Sequence, residues 1–365
     1  MAQLNLNNCQ VSNSLLVKDV VISNTLAFNS SNSNIGIGTN VLSKNTTSSE
    51  NIGLGNNSLS SITTGLYNVG IGVNALSSNI TNSGNTAIGY DSLKNNTRQW
   101  NTGVGNASLS SNTLGFFNTA VGNNSLLSNI DASSNTGIGN NSLSSNISGS
   151  YNTGVGNNSL LNNTNGQGNT AIGNSSLSSN TTGSNNTAIG NNALSNNITF
   201  NNVTGLGANS QVTGDDQVQL GDSTSNVYAQ SALNTRSDLR DKTDIRDTVL
   251  GLDFINKLRP VDFRWDVRED YIEQPKDGSK KRDRFHHGLI AQEVKSTMDN
   301  LNVDFAGYQD HKINGGKDVL TIGYEELIGP LIKSIQDFSN QLNKSNESIQ
   351  DLTAEVAFLK SQLQK

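Results

Sequence analysis

Ser237 and Lys242 stand five residues apart in the stretch Arg236-Ser237-Asp238-Leu239-Arg240-Asp241-Lys242. A serine hydroxyl becomes a useful nucleophile at neutral pH only when a base takes its proton, and a lysine can be that base if burial or neighbouring positive charge disfavours its ammonium form. A free lysine ionises near ~10.4 and a working base has to lie at about 7–8, so the surroundings must supply roughly 4 kcal/mol. Arg236 and Arg240 push in that direction, while Asp238 and Asp241 pull against it. The spacing also sets a condition. Residues five apart point about 140° from each other on a helix and to opposite faces on a strand, so this pair can meet only across a bend or between neighbouring chains. The same seven residues would also make an ordinary solvated loop, and what lies around them has to decide.

The stretch is a seam in composition, with an uncharged Asn/Ser/Gly repeat before it and a charged globular sequence after it. Asp247–Leu258 reads as an amphipathic helix carrying Val249, Leu250, Phe254, Ile255 and Leu258 on one face, and it stops before Arg259-Pro260. Val261–Trp265 alternates as a strand, residues 271–284 form a polar basic loop, His286–Ile290 is a second strand and Ala291–Met298 a short helix. Neither His286 nor His287 has companions at metal-ligand spacing, so no metal site is expected. The last segment carries heptads. Ile335, Leu342, Ile349, Val356 and Leu363 take the a positions, and Leu331, Phe338, Ser345, Leu352 and Leu359 the d positions. A coiled coil is the direct reading; a single helix lying on the domain is the other.

Four motifs occur here in order: Ser-Asp-x-Arg-x-Lys at Ser237, Leu258-Arg259-Pro260-Val261-Asp262-Phe263, His286-His287-Gly288-Leu289-Ile290-Ala291-Gln292, and Tyr324-Glu325-Glu326-Leu327 running into the heptads. Together they resemble the C-terminal intramolecular chaperone domain of phage endosialidases and tail fibres, over about residues 230–365. The resemblance implies a homotrimeric, self-cleaving chaperone that leaves once the fibre ahead of it has folded. It places a Ser/Lys dyad on Ser237 and Lys242, with Asp238, Arg240, His286 and Gln292 in support and no cofactor. His286 falls on the family's histidine, but His287 stands beside it, which leaves open which of the two matters.

Stepping towards the N-terminus, an aliphatic residue followed by glycine recurs from Ile37-Gly38 to Leu206-Gly207, eleven times. The spacing is 17 residues throughout except for one step of 16 between Ile88 and Val104, and a leucine follows four residues after each of the first ten glycines. A fixed period of this length means a stacked solenoid. Asn, Ser and Gly are poor helix formers while Thr, Ile and Val suit strands, so each coil is expected to hold two short strands separated by glycine corners. Stacking brings equivalent asparagines into register every ~4.8 Å, where amide ladders form. Two aliphatic residues per coil are a thin core for 17 ordered residues, so burial against other chains is expected. The repeat resembles the heads of trimeric bacterial adhesins, whose coils are shorter, and the shafts of viral fibres.

The expected fold is thus an all-β solenoid of 17-residue coils, followed by a small α+β domain that ends in a coiled coil; the heptad residues do not set the number of chains, and the resemblance implies a trimer in both parts. Residues 1–30 are a cap or an attachment segment, 31–207 the solenoid, 208–236 a stem, 237–330 the chaperone and peptidase domain, and 331–365 the coiled coil. Residues 1–200 hold four acidic and four basic groups, so the net charge of −6 belongs to residues 201–365. A basic face for nucleic acid is missing. Cys9 is alone, no export signal or run of ~18 apolar residues occurs, and membrane insertion is not expected. Residues 31–207 hold only Glu50, Asp91 and Asp131 as acids, which disfavours glycosidase chemistry there. The function expected is a viral tail fibre or spike precursor located in the virion. Its N-terminus would dock other virion proteins, and its solenoid would serve as shaft or face a host-surface receptor or glycan. The alternative is a bacterial trimeric adhesin with a retained stalk, disfavoured by the lack of signal and anchor.

Overall fold

The computed structural model describes residues 33–222, 225, 227, 228, 230, 237–267, 275–314 and 318–363. The expected cap at residues 1–30, Cys9, Arg236, much of the stem and the start of the basic loop lie outside them. The chain divides into two compact units, one running to residue 199 and including Leu206–Asn209, the other holding Phe200–Gly205 and everything from Ser210 onward.

The first unit is a parallel β-solenoid. Its strands run from β1 (Ile35–Ile37) to β10 (Thr187–Ile189), each three residues long, and they pair in sequence order and in register, Ile35 against Ile52 and Thr170 against Thr187. The single 16-residue step leaves the register intact, with Thr86 against Thr102. Each coil has one strand where two were expected. After the strand, a glycine at φ +123° to +137°, then a residue that is asparagine in most coils (Asp91, Ala107 and Ser175 in the others) and a leucine, both near φ +50°, turn the chain repeatedly, so the remainder of the coil is a run of turns. Gly122 shows why the first of these tolerates no side chain: a Cβ there would lie 2.3 Å from the carbonyl oxygen of Gly139 in the next coil.

The core differs from expectation too. Leu59, Leu76, Leu93 and their equivalents to Leu194 are fully buried, but the aliphatic residue that ends each strand is not. Side chains alternate along a strand, so the middle residue, Gly or Ala, faces in, and Thr and the aliphatic residue face out. Ile88, Val121, Ile138, Ile172 and Ile189 form an outward row. Buried asparagine takes the space instead. The Oδ1 of Asn118 accepts from Asn135 N at 3.0 Å and from Asn135 Nδ2 at 3.2 Å, while its own Nδ2 donates to Ala132 O at 2.8 Å. A second column links Asn112, Asn129, Asn146, Asn163 and Asn180 by amide bonds of 2.7–2.9 Å. The expected ladders are present, and they lie inside the coil. Two further short strands follow, β11 (Thr204–Leu206) and β12 (Val218–Leu220).

In the second unit, helix α1 (Leu252–Lys257) precedes an antiparallel pair, β13 (Val261–Phe263) and β14 (His286–Gly288). Helix α2 (Ala291–Leu301), a second antiparallel pair of β15 (Tyr308–Asp310) and β16 (Leu320–Ile322), and the long α3 (Ile328–Leu363) complete it. Phe254, Val294, Met298, Phe305 and Leu327 form its core. Helix α1 starts five residues later than the apolar spacing suggests, at Leu252, with Gly251 as its N-cap. The carboxylate of Asp337 on α3 accepts from Leu252 N at 3.4 Å there, and a Cβ on Gly251 would lie 2.2 Å from it. Its hydrogen bond from Lys333 holds the Asp337 carboxyl below the usual carboxylate range. Along α3 the heptad residues Ile335, Phe338, Leu342, Ile349, Leu352, Val356, Leu359 and Leu363 are all exposed, so the helix does not lie with that seam on its own domain.

Candidate active site

Asp238 makes the bend that the Ser237/Lys242 spacing requires. Its carboxylate accepts from Arg240 N at 2.9 Å and caps one 3-10 turn, Leu239–Asp241, which closes with Lys242 N donating to Leu239 O at 3.2 Å. A short acidic side chain ahead of a helical turn satisfies a backbone donor that the turn leaves free. The turn reverses the chain, and Lys242 Nζ donates to Ser237 Oγ at 2.7 Å. The two groups meet within one chain. They are both exposed, so this chain alone leaves the lysine hydrated.

Arg240 points elsewhere than its charge suggested. Its guanidinium grips Asp238 through Nε at 3.1 Å and Nη2 at 2.6 Å, and that contact holds the Asp238 carboxyl below the usual range. The opposing charges of Asp238 and Arg240 thereby answer each other next to the pair.

His286, on β14 opposite Phe263, stacks on the Phe263 ring at 5.9 Å and meets the edge of Trp265 at 6.3 Å. His287, the next residue of the strand, is largely exposed, with Nδ1 2.6 Å from Asp262 Oδ1. A groove of about 860 Å³ is lined by His286, His287, Trp265, Gln292, Thr321 and Tyr324 among others. It brings together two of the residues named from the sequence, His286 and Gln292. Ser237 and Lys242 are not in its wall. Among the described residues no group of three or more metal-ligating side chains is placed to hold an ion.

Tyr324 was missed as a site residue. Its hydroxyl accepts from Leu289 N at 2.9 Å, and it fits only because residue 288 is glycine, where a Cβ would be 2.3 Å from the hydroxyl oxygen. Arg259 was missed as well. It bonds Glu293 through Nε at 3.0 Å and through Nη2, which holds the Glu293 carboxyl below its usual range and ties the Leu-Arg-Pro motif to the start of α2. Both residues sit inside the motifs quoted above, yet nothing in their spacing signals that the motifs touch.

The family model described as the chaperone of endosialidase, a peptidase family, matches residues 237–302. That match opens on Ser237 and ends one residue after α2. No curated protein and no solved structure matches the chain. Among the described residues no helix is long and apolar enough to cross a membrane. Residues 237–302 carry a chaperone of endosialidase domain, and a parallel β-solenoid precedes it.

Proposed function

We propose that this chain is the precursor of a phage tail fibre or spike, located in the virion, whose C-terminal domain drives trimerisation and then cuts itself away at Ser237. The hydrogen bond between Lys242 Nζ and Ser237 Oγ at the first residue of the family match is the observation that carries this reading. With the lysine neutral, the direction of that bond reverses and Oγ–H gives its proton to Nζ. Oγ then adds to the carbonyl carbon of residue 236 and the C–N bond breaks. The nitrogen of Ser237 leaves as an amine, taking the proton back from Nζ. The resulting ester is hydrolysed by water, which leaves a carboxylate on residue 236 and a free N-terminus on Ser237.

Loss of the ammonium proton needs desolvation, and exposed side chains have little. Packing of further copies around the turn supplies it, which ties cleavage to assembly. Two surfaces support such assembly, the exposed heptad seam of α3 and the outward aliphatic row of the solenoid. In the trimer the solenoid serves as shaft or receptor-binding body.

Intact mass after fresh expression tests the cut. Wild type should give a C-terminal fragment of about 14 kDa, its share of the 38.7 kDa chain. Ser237→Ala and Lys242→Ala should stay whole, and so should Lys242→Arg, because arginine gives up no proton. A fragment beginning at Asp238 would move the bond one residue on. Cleavage of both alanine variants at the wild-type rate would end the dyad assignment.

A further inference from the structure

One corner of the solenoid breaks its own uniformity. The position two residues ahead of each strand has a left-handed backbone in successive coils, at Tyr67, Gly84, Trp100, Phe117, Ser134 and Tyr151. Tyr67, Trp100, Phe117 and Tyr151 are each about half exposed or more. These are large aromatic groups on a surface whose other exposed apolar residues are mostly aliphatic, among them Ile88 and Ile138 of the outward row and Ile80, Ile130 and Ile147, and stacking sets them in one column. Tyr67 and Trp100 are two coils apart, Trp100 and Phe117 one, and Phe117 and Tyr151 two, or about 10, 5 and 10 Å at the inter-strand spacing.

Two observations mark this corner as built. Gly84 lies under the Trp100 ring, where a Cβ would be 2.4 Å from ring atoms, so the neighbouring coil is left bare to let the indole lie flat. The one missing residue of the repeat also falls here. Asn79 and Asn96 are 17 apart while Gly84 and Trp100 are 16 apart, so the shortened loop is the one that carries Trp100. Next to it, Phe116 packs edge-on against Phe117 at 5.4 Å.

We propose that this column is a binding track for a glycan chain, whose pyranose rings stack on Trp100 and Phe117 and reach Tyr67 and Tyr151. Sugar rings offer C–H faces to aromatic rings and hydroxyls to polar neighbours, and both are provided, by the rings themselves and by exposed Gln99 beside Trp100. The solenoid around it has almost no charge to bind an ionic partner. Arg98, exposed in the same loop, is a charged group that would favour an acidic sugar over a neutral one. A second copy of the chain fits this corner less well than it fits the aliphatic row. An interface between identical rods repeats at every coil, as that row does, whereas the aromatic column is interrupted by Gly84 and Ser134.

This inference rests on the solenoid being the receptor-facing body, but its test needs no cleavage, so it fails independently of the dyad. The probe set is full-length Trp265→Phe protein, in which Trp100 is the remaining tryptophan, titrated with hexamers of β-1,4-glucose, N-acetylglucosamine and galacturonate and with bacterial O-polysaccharide. At least one should change Trp100 fluorescence saturably. In affinity electrophoresis with that glycan, Trp100→Ala and Phe117→Ala should weaken binding roughly five- to tenfold while Ser134→Ala leaves it unchanged. Preference for galacturonate that is lost in Arg98→Ala would assign the acidic class. Silence towards the whole set, or a change of sedimenting mass in Trp100→Ala, would overturn the proposal, the latter in favour of packing between copies.

Discussion

Gln217 and His311 touch across the seam: Nε2 of the amide donates to Nδ1 of the ring at 2.7 Å, while Ser237 lies between them in the sequence. Thr213 N donates to Gln217 Oε1 at 2.8 Å, which fixes the end of the amide that faces the ring. His311 therefore accepts at Nδ1 and carries its proton on Nε2, 3.0 Å from Thr321 Oγ1. The compact unit that holds the chaperone domain begins at Ser210 apart from Phe200–Gly205, ahead of the proposed cut.

A break at Ser237 leaves this joint untouched, so the two fragments should stay together after cleavage. One hydrogen bond contributes about 1 kcal/mol, so Gln217→Ala should speed release of the C-terminal fragment about fivefold, and His311→Ala, which also loses Thr213 Oγ1 at 3.0 Å, should speed it more. Size-exclusion chromatography of freshly cut protein at successive times reads this. Immediate separation of the wild-type fragments would show that the joint holds nothing.

The solenoid makes a sharper energetic statement. Removing the Asn118 side chain strands two buried donors, Asn135 N and Asn135 Nδ2, and leaves Ala132 O with Asn129 Nδ2 as its remaining side-chain donor. Asn118→Ala should cost about 2–4 kcal/mol, comparable with the 2–5 expected for Leu126→Ala. Asn165→Ala, on the exposed surface, should stay within about 0.5 kcal/mol. Urea midpoints of the strand signal compare them. If Asn118→Ala is as mild as Asn165→Ala, leucine alone holds the coil.

The period of 17, the strand at each aliphatic-glycine pair and the buried leucine were all legible in the sequence, because recurrence is a property of the string. Which residue of each triplet faces inward was not, since Ile138 and Leu143 recur equally well and only the pleat puts the first outside and the second inside. The single strand per coil was hidden likewise, in leucines at left-handed φ that no propensity would suggest. In the C-terminal unit, the need for a bend between Ser237 and Lys242 was readable, and Asp238 as its cap was readable in hindsight. The groove was not, for Trp265, His286, Gln292 and Tyr324 come from separate segments whose approach depends on Gly288 being bare.

The exposed seam of α3 leads to a coupled outcome. Ile349 and Leu352 are about 60% exposed in the single chain and have neighbours only if other helices provide them. Aspartate at both puts charge into that contact, which is strongly unfavourable once water is excluded. The double variant should sediment as a monomer and remain uncut, because in the proposed mechanism the lysine base is desolvated only when copies assemble. A monomer that still cleaves would separate the two events and leave trimerisation with no part in timing the cut.

Within one chain each pairing joins residues only 17 apart, but the outward row gains burial only from another copy, so the slow step is the concentration-dependent alignment of separate chains. A nucleus at one end that first brings three chains into register removes much of that difficulty, and the α3 seam suits the task. If the nucleus is released as proposed, the route by which the fibre formed no longer exists, and the mature rod would persist because of its barrier to unfolding rather than by equilibrium. Cleaved protein should therefore resist denaturant for long periods but fail to recover after complete unfolding, whereas uncut Ser237→Ala protein should regain trimer on dilution. Trimer yield after full denaturation, at matched chain concentration, measures the difference. Equal recovery from both samples would make the C-terminal domain a passenger and place the folding nucleus within the solenoid itself.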